Sequence, residues 1–265
     1  YVEAENFFKK IVTLKPNAEN NYIYGNIQKR LKNYNEACQY FLKAINLKPD
    51  YSEAYNNLGN TKLKLGFTDE AVENYKKAIS SNKNNLQAYF NLAHLYNEIK
   101  DYNNLKKILH DVLKLDKNNL QAYFNLAHLY NEEKDFENLK KVLLDILKLD
   151  ESNTTALNDL GYLNLILGNE EEGRKLFEKV ISIDDKHIRA FKNYFLITKV
   201  SAENKYLKKL EKLDLSHVND EDKIFAYTSL CKCNFDLNNS QEALKYLKLS
   251  NNLKKSKSNF SIERE

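Results

Sequence analysis

The sequence predicts an all-α protein in which antiparallel helix pairs stack one behind another. Three observations support this prediction. The 265 residues include only six Gly and two Pro, so few positions interrupt a helix. Residues 84–98 recur unchanged at 118–132, which is an offset of 34 residues. Apolar residues follow the same offset along most of the chain, as they do in solenoids whose neighbouring repeats share a continuous core.

The offset defines a unit with fixed large and small positions. A track of large apolar residues runs through Phe8, Phe41, Tyr75, Leu109, Leu143 and Phe177. A second track places a Leu before a small residue, at Leu58–Gly59, Leu92–Ala93, Leu126–Ala127 and Leu160–Gly161. We expect the small residues of the two helices in each unit to meet, so that the helix backbones approach closely.

These residues and their spacing resemble the tetratricopeptide repeat, and the resemblance covers nearly the whole chain. It implies a right-handed superhelical solenoid of antiparallel helix pairs. Full units are predicted to begin at Ala18, Ser52, Leu86, Leu120 and Thr154. The predicted organisation is regular units over 1–187 with the first one partial, a degenerate repeat over 188–223, a final unit over 224–257 and a tail over 258–265.

The glycines are all used by this architecture. Gly66 and Gly168 are expected in the turns between helices, where a left-handed backbone conformation is needed. No Gly is left for a loop that binds phosphate groups. Leu105 and Leu139 stand where the family has Ala, which predicts that the second helices of these two repeats stand slightly further out.

The resemblance also implies that first helices line a concave surface, where binding sites of this family usually lie. Polar residues occupy one position of successive first helices: Asn57, Asn91, Asn125, Asp159 and Asn193. This series resembles the asparagine ladder of O-GlcNAc transferase, which holds the backbone of an extended polypeptide. A side-chain amide both donates and accepts, so it pairs with any peptide group. Because Asn is abundant throughout the chain, chance placement on exposed faces is the alternative interpretation.

Further groove candidates accompany this series. Asn60, His94 and His128 lie two positions beyond the recurring Leu and are expected to be polar groove lining. Phe90 and Phe124 are expected to point toward the inner face, where they either hold an apolar side chain or pack between helices. Chaperone-tail binding is disfavoured, because the Lys positions of the family's carboxylate clamp carry other residues here. Those positions are Tyr22, Asn56, Phe90, Phe124 and Asn158.

Composition narrows the classes of partner. The formal net charge of +4 and the lack of a continuous basic stripe disfavour nucleic acid. No apolar run approaches the length of a membrane-spanning helix, and no signal peptide is evident. Three Cys without disulfide or zinc spacing suggest a cytoplasmic location. No catalytic motif is present, so we expect no catalysis, no cofactor and no metal site in this segment.

The end of the chain suggests an alternative function. The segments 250–255 and 260–263 are similar to the bridging repeat, and the tail after it, of bacterial tetratricopeptide–sulfotransferase proteins. The chain contains no Met, so we expect a segment of a longer protein, with more repeats before Tyr1. The first prediction is a scaffold that binds an extended polypeptide or partner protein. The alternative is the substrate-binding arm of a sulfotransferase, or less closely of O-GlcNAc transferase, with its catalytic domain after Glu265.

Overall fold

A computed structural model describes the backbone of residues 2–262 and the side chains of residues 7–256. Fifteen helices and no strands occur within residues 2–262, which confirms the predicted all-α array of helix pairs. The chain divides into two compact units, residues 1–129 and residues 130–265, and each is described by itself.

The first unit holds three complete helix pairs, preceded by one helix and followed by the start of another. Its helices are α1 (Val2–Leu14), α2 (Ala18–Arg30), α3 (Tyr34–Leu47), α4 (Ser52–Lys64), α5 (Thr68–Ser81), α6 (Leu86–Glu98), α7 (Tyr102–Leu115) and α8 (Leu120–Glu132), whose last turn crosses the division. Helices α2, α4, α6 and α8 begin at the residues where the sequence predicts units to begin.

The second unit is regular at its start and irregular in its middle. Its helices are α9 (Phe136–Leu149), α10 (Thr154–Ile166), α11 (Glu170–Ile183), α12 (Ile188–Ile197), α13 (Lys205–Glu211), α14 (Asp220–Asp236) and α15 (Ser240–Ile262). The predicted unit start at Thr154 is again the first residue of a helix.

An Asn side chain caps four of the first helices, α2, α6, α8 and α10, whereas α4 begins without a side-chain cap. The side-chain oxygen of Asn17 accepts the Asn20 backbone N–H at 2.7 Å, and Asn85 accepts the Ala88 N–H at 3.1 Å. Equivalent bonds start α8 and α10, where Asn119 accepts the Ala122 N–H at 3.0 Å and Asn153 accepts the Ala156 N–H at 3.1 Å. Each bond satisfies one of the free N–H groups at a helix start, which stabilises the helix by about 1 kcal/mol.

The turns between paired helices share a residue in the left-handed region. These residues are Lys32, Gly66, Lys100, Lys134, Gly168 and Asn238. In the second turn, the Phe67 N–H donates to the Lys62 carbonyl and the Gly66 N–H to the Leu63 carbonyl, both at 3.0 Å. This hydrogen-bond pattern ends many helices and requires the left-handed residue. The turn positions predicted for Gly66 and Gly168 are thereby confirmed.

We expect Gly66→Ala to lower the free energy of unfolding by about 1 kcal/mol, because an L side chain is disfavoured at its φ of +84°. A Cβ at Gly66 meets nothing within 4 Å, so no packing clash contributes. Lys100→Gly relieves the same strain at the equivalent turn and is the matched control. Urea unfolding of both variants measures the effect. A Gly66→Ala protein as stable as the wild type would contradict the assignment of strain to this turn.

In three helix pairs, a glycine of the first helix faces an aromatic ring of the second helix. A Cβ on Gly25 would lie 2.8 Å from the Phe41 ring, and one on Gly161 would lie 2.6 Å from the Phe177 ring. A Cβ on Gly173 would lie 2.9 Å from the Gly161 carbonyl oxygen, so the small residues of α10 and α11 do meet as expected. The sequence analysis did not predict that the second-helix aromatic covers the first-helix glycine.

The degenerate repeat is built from shorter helices than the regular units. α12 spans ten residues and α13 seven, whereas the regular first helices span thirteen. α14 begins at Asp220, before the predicted unit start at Ile224, because Asn219 caps it by accepting the Asp222 N–H at 2.9 Å. Three acidic residues in its first turn, 220–222, interact favourably with the positive end of the helix dipole.

The last turn of α14 holds the segment that follows α12. The Asp236 carboxylate accepts the Val200 N–H at 3.0 Å and a hydrogen bond from Lys232, whose ammonium group also donates to the Thr198 carbonyl. Partial burial alone would raise the pKa of Asp236. The hydrogen bonds from Lys232 and Val200 and the charges of Lys232 and Lys199 outweigh burial and lower that pKa.

The predicted tail over 258–265 does not form a separate segment at its start, because α15 continues through Ile262. The side chains of 260–263, which carry the resemblance to the sulfotransferase tail, lie outside the described residues.

Candidate functional site

Helices α6 and α8 have identical sequences and line a common groove in the first unit. The groove has a volume of about 530 Å³. Equivalent residues of the two helices line it in pairs: Gln87 and Gln121, Phe90 and Phe124, Asn91 and Asn125, His94 and His128. The structure therefore brings together six of the ten residues that the sequence analysis selected.

Helical periodicity places these side chains on one face. In α6, Phe90, Asn91 and His94 follow Gln87 by three, four and seven residues, which is the spacing of one helix stripe. The opposite stripe is buried and carries Ala88, Leu92 and Leu95. The groove face is therefore free for polar and aromatic residues without loss of core packing.

The floor of the groove includes Leu105, one of the two residues that replace the family's Ala. Leu105 is buried, as is Leu109 one turn later in α7. The backbones of α6 and α7 pack together less closely than those of α4 and α5. This difference agrees with the prediction that the larger Leu moves the second helix outward, and it leaves an apolar surface at the bottom of the groove.

The groove is polar and aromatic but carries no charged lining. None of its described lining residues is Asp, Glu, Lys or Arg. Phe90 and Phe124 are half-buried, so each presents part of its ring to the groove. The His94 and His128 side chains are exposed at the rim, where His94 Nδ1 lies 3.7 Å from the Glu98 carboxylate.

The two groove asparagines differ in their hydrogen bonds. The Asn91 amide nitrogen donates to Asn56 Oδ1 at 2.8 Å, and its oxygen accepts from Gln87 at 3.0 Å. Within the described part of the chain, no hydrogen bond engages the Asn125 side chain. Asn125 therefore presents both a donor and an acceptor to an occupant of the groove, and Asn91 is already committed.

Asn57 and Asn60, two further predicted site residues, do not line this groove. The Asn57 amide donates to Tyr22 at 3.0 Å and to Asn26 at 2.8 Å, and its oxygen accepts from Lys29 at 3.3 Å. Asn60 accepts the Tyr75 hydroxyl at 2.8 Å. Both side chains thus link helices within the first unit.

Asp159 and Asn193 lie beside a smaller groove of about 210 Å³ in the second unit. Asn193 is buried and donates to Asn158 at 3.1 Å. Asp159 keeps an exposed surface, but the groove walls withdraw water from its carboxylate and raise its pKa. The hydrogen bond from Asn158 and the charges of Arg189 and His187 oppose that rise. This groove also contains the Arg189–Glu221 ion pair at 3.5 Å and is therefore charged.

Five groove residues were not predicted from the sequence to lie there: Gln87, Ala93, Asn97, Leu105 and Gln121. Gln87 and Gln121 could have been found, because each lies one helical turn before an asparagine already selected. The pairing of Asn91 with Asn56 could not, since it depends on how two first helices face each other.

The described residues contain neither a cluster of metal-ligating side chains nor a membrane-spanning helix. No group of three or more His, Cys, Asp or Glu side chains among them is placed to hold a metal ion. None of their helices is long and apolar enough to cross a membrane.

Comparison with known families gives a consistent assignment. A tetratricopeptide repeat model matches four consecutive units, residues 52–85, 86–119, 120–153 and 154–187. A second TPR repeat model matches residues 25–66. The resemblance of the end of the chain to the sulfotransferase bridging repeat stays a prediction. No curated protein matches the chain.

Several solved structures share the fold at low sequence identity. YrrB, described as a TPR protein with an unusual peptide-binding site, is 18% identical with a TM-score of 0.54, over 69% of this chain and 95% of that one. MamA from Desulfovibrio magneticus RS-1 is 19% identical with a TM-score of 0.51, over 64% and 96%. A tetratricopeptide repeat protein from Parabacteroides merdae is 17% identical with a TM-score of 0.51, over 94% and 91%. Because one repeat model covers more than half of the chain, the chain belongs to the tetratricopeptide repeat family.

Proposed function

We propose that the groove between α6 and α8 binds an extended polypeptide segment of a partner protein. The observation that carries this proposal is the pairing of two half-exposed phenyl rings, Phe90 and Phe124, beside the uncommitted amide of Asn125. The rings offer an apolar contact to one side chain, and the amide offers a donor and an acceptor to a peptide group.

The spacing expected between neighbouring first helices suits an extended chain. Packed helices stand about 8–10 Å apart, and an extended chain advances about 3.3 Å per residue. Equivalent side chains of α6 and α8 therefore meet positions about three residues apart. The uncharged lining favours peptide groups and apolar side chains over a phosphate or a strongly charged tail. The peptide-binding site described for YrrB is consistent with this use of the fold.

The proposal changes the role of the predicted asparagine series. The centre of the proposed binding site is the α6–α8 groove, with Phe90, Phe124, Asn125 and the His pair. Asn57, Asn91 and Asn193 act mainly in contacts between helices. We include a cytoplasmic location in the proposal because the three cysteines are free.

Screening on an array of random 12-residue peptides tests this function. We expect a subset of apolar, uncharged peptides to bind the full chain. Phe90→Ala combined with Phe124→Ala should weaken binding of the strongest array peptide at least about tenfold, because aromatic anchors dominate such contacts. Fluorescence anisotropy with the labelled peptide measures the change.

The matched control is Phe67→Ala, which removes an exposed phenyl ring of the same unit outside the groove. Its affinity should equal that of the wild type. Equal affinities for the wild type and the double variant, or no binding to any array peptide, would reject the α6–α8 groove as a polypeptide site.

A further inference from the structure

The asparagines of the series differ in whether the residue 35 positions earlier in the chain accepts a hydrogen bond from their side-chain amide. The Asn57 amide donates to the Tyr22 hydroxyl at 3.0 Å. Asn91 and Asn193 donate in the same way to Asn56 at 2.8 Å and to Asn158 at 3.1 Å. Three separate helix contacts thus use the same register. We call the residue 35 positions before each asparagine of the series the acceptor position; its residues are Tyr22, Asn56, Phe90 and Asn158. Phe124 has the same spacing to Asp159, which is not an asparagine and has no amide to donate.

Phe90 is the exception among these residues. It stands 35 residues before Asn125 and has no oxygen to accept a hydrogen bond. Asn125 is correspondingly the groove asparagine for which the described residues supply no partner. The same residue provides the half-exposed ring of the groove wall, because its phenyl group lacks the oxygen that Tyr22, Asn56 and Asn158 carry.

We infer that the acceptor position determines whether the next asparagine can bind a polypeptide. An oxygen at that position accepts a hydrogen bond from the asparagine and holds it in the contact between first helices. A phenyl ring accepts none, so the asparagine amide stays available to a ligand. Phe90 is therefore a specificity-determining residue that limits the polypeptide contact to the α6–α8 groove. This inference rests on the proposed function for its binding consequence, but the hydrogen-bond pattern itself is independent of any ligand.

The inference predicts that Asn91 can be released by changing its acceptor. Asn56→Leu removes the oxygen while keeping a side chain of similar size, and Asn56 does not line the groove. The freed Asn91 amide adds one hydrogen bond to the peptide. We expect the affinity of the strongest array peptide to rise about threefold to tenfold. In an Asn91→Ala background, Asn56→Leu should leave the affinity unchanged.

The opposite change tests the same rule at Phe90. Phe90→Asn supplies an oxygen to Asn125, whereas Phe90→Leu removes the ring without supplying one. We expect Phe90→Asn to bind the peptide at least about threefold more weakly than Phe90→Leu. Equal affinities of these two variants, or an Asn56→Leu protein that folds normally and binds no better than the wild type, would overturn the inference.

A ligand-free measurement separates this inference from the proposed function. Nuclear magnetic resonance detects exchange of side-chain amide protons with water. The Asn91 amide protons should exchange faster in Asn56→Leu, and those of Asn125 slower in Phe90→Asn. If these rates change but no array peptide binds the wild type, the proposed function fails and the acceptor rule stands. Unchanged exchange rates in both variants would refute the rule itself.

Discussion

Gly161→Ala should lower the free energy of unfolding by about 1–3 kcal/mol, because the added methyl group has no room. Its Cβ would lie 2.6 Å from Phe177 Cε1 and 3.0 Å from Cδ1 of the same ring. Phe177 is fully buried in the core of the second unit, so its ring cannot turn aside freely. Urea unfolding followed by circular dichroism measures the loss.

A second substitution should restore much of this stability. In the first unit, Ala93 occupies the position of Gly161, and Leu109 occupies that of Phe177. Both are buried there, which shows that the same helix pair can be built from Ala and Leu. Phe177→Leu alone leaves a cavity, but combined with Gly161→Ala it should cost less than the sum of the single changes. Strictly additive losses would contradict direct contact as the cause.

Asp236→Ala should destabilise the protein by about 1–3 kcal/mol, because it leaves the Val200 N–H and the Lys232 ammonium group without their carboxylate partner. The Asp236 side chain is only 16% exposed, so water replaces it poorly. The control is Glu242→Ala, which breaks an exposed ion pair with Lys245 in α15 and should cost less than about 1 kcal/mol.

The effect of Asp236→Ala should also depend on pH. The pKa of Asp236 is lowered in the folded protein, so its stabilising contribution is complete above the unfolded value of about 3.9. It is lost as the pH falls through the lower folded pKa. The difference in stability between wild type and variant should therefore be constant from pH 7 to about pH 5 and shrink below about pH 3.5. A difference that grows in acid would contradict the assigned pairing.

The starts of the regular repeats could be predicted accurately from the sequence. Units predicted at Ala18, Ser52, Leu86, Leu120 and Thr154 are the first residues of helices. This agreement has a local cause, since an asparagine that caps the helix directly precedes most of these residues. α14 departed from the 34-residue register because its start is also set locally, by Asn219 and the acidic first turn.

Packing between helices was predicted less completely. The small residues were correctly placed at close approaches, but the ring of Phe41, Tyr75 or Phe177 over each first-helix glycine was not foreseen. Which side chain covers a glycine depends on the offset between two helices, and that offset is a tertiary property. The sequence nevertheless reflects how the two helices pack, since Gly in the first helix occurs with an aromatic residue in the second, and Ala93 occurs with Leu109.

In the candidate site, too, features set by the local sequence pattern could be predicted and features set by contacts between helices could not. Phe90, Asn91, His94 and their copies in α8 share a helix stripe, so helical periodicity was sufficient to group them. The series extending from Asn57 to Asn193 looked uniform because one position repeats every 34 residues. In the structure its members differ, because only some of them form hydrogen bonds between first helices. Those bonds join residues 35 apart, whereas the repeat pattern relates residues 34 apart.

Fluorine nuclear magnetic resonance of the chain labelled with 4-fluorophenylalanine tests directly whether the α6–α8 groove binds a polypeptide. Single Phe variants assign the signals, and the strongest array peptide is then titrated into the labelled protein. We expect the Phe90 and Phe124 signals to shift in proportion to bound peptide, and the Phe67 signal not to shift. Shifts confined to other rings, such as Phe225 beside the charged groove of the second unit, would contradict it.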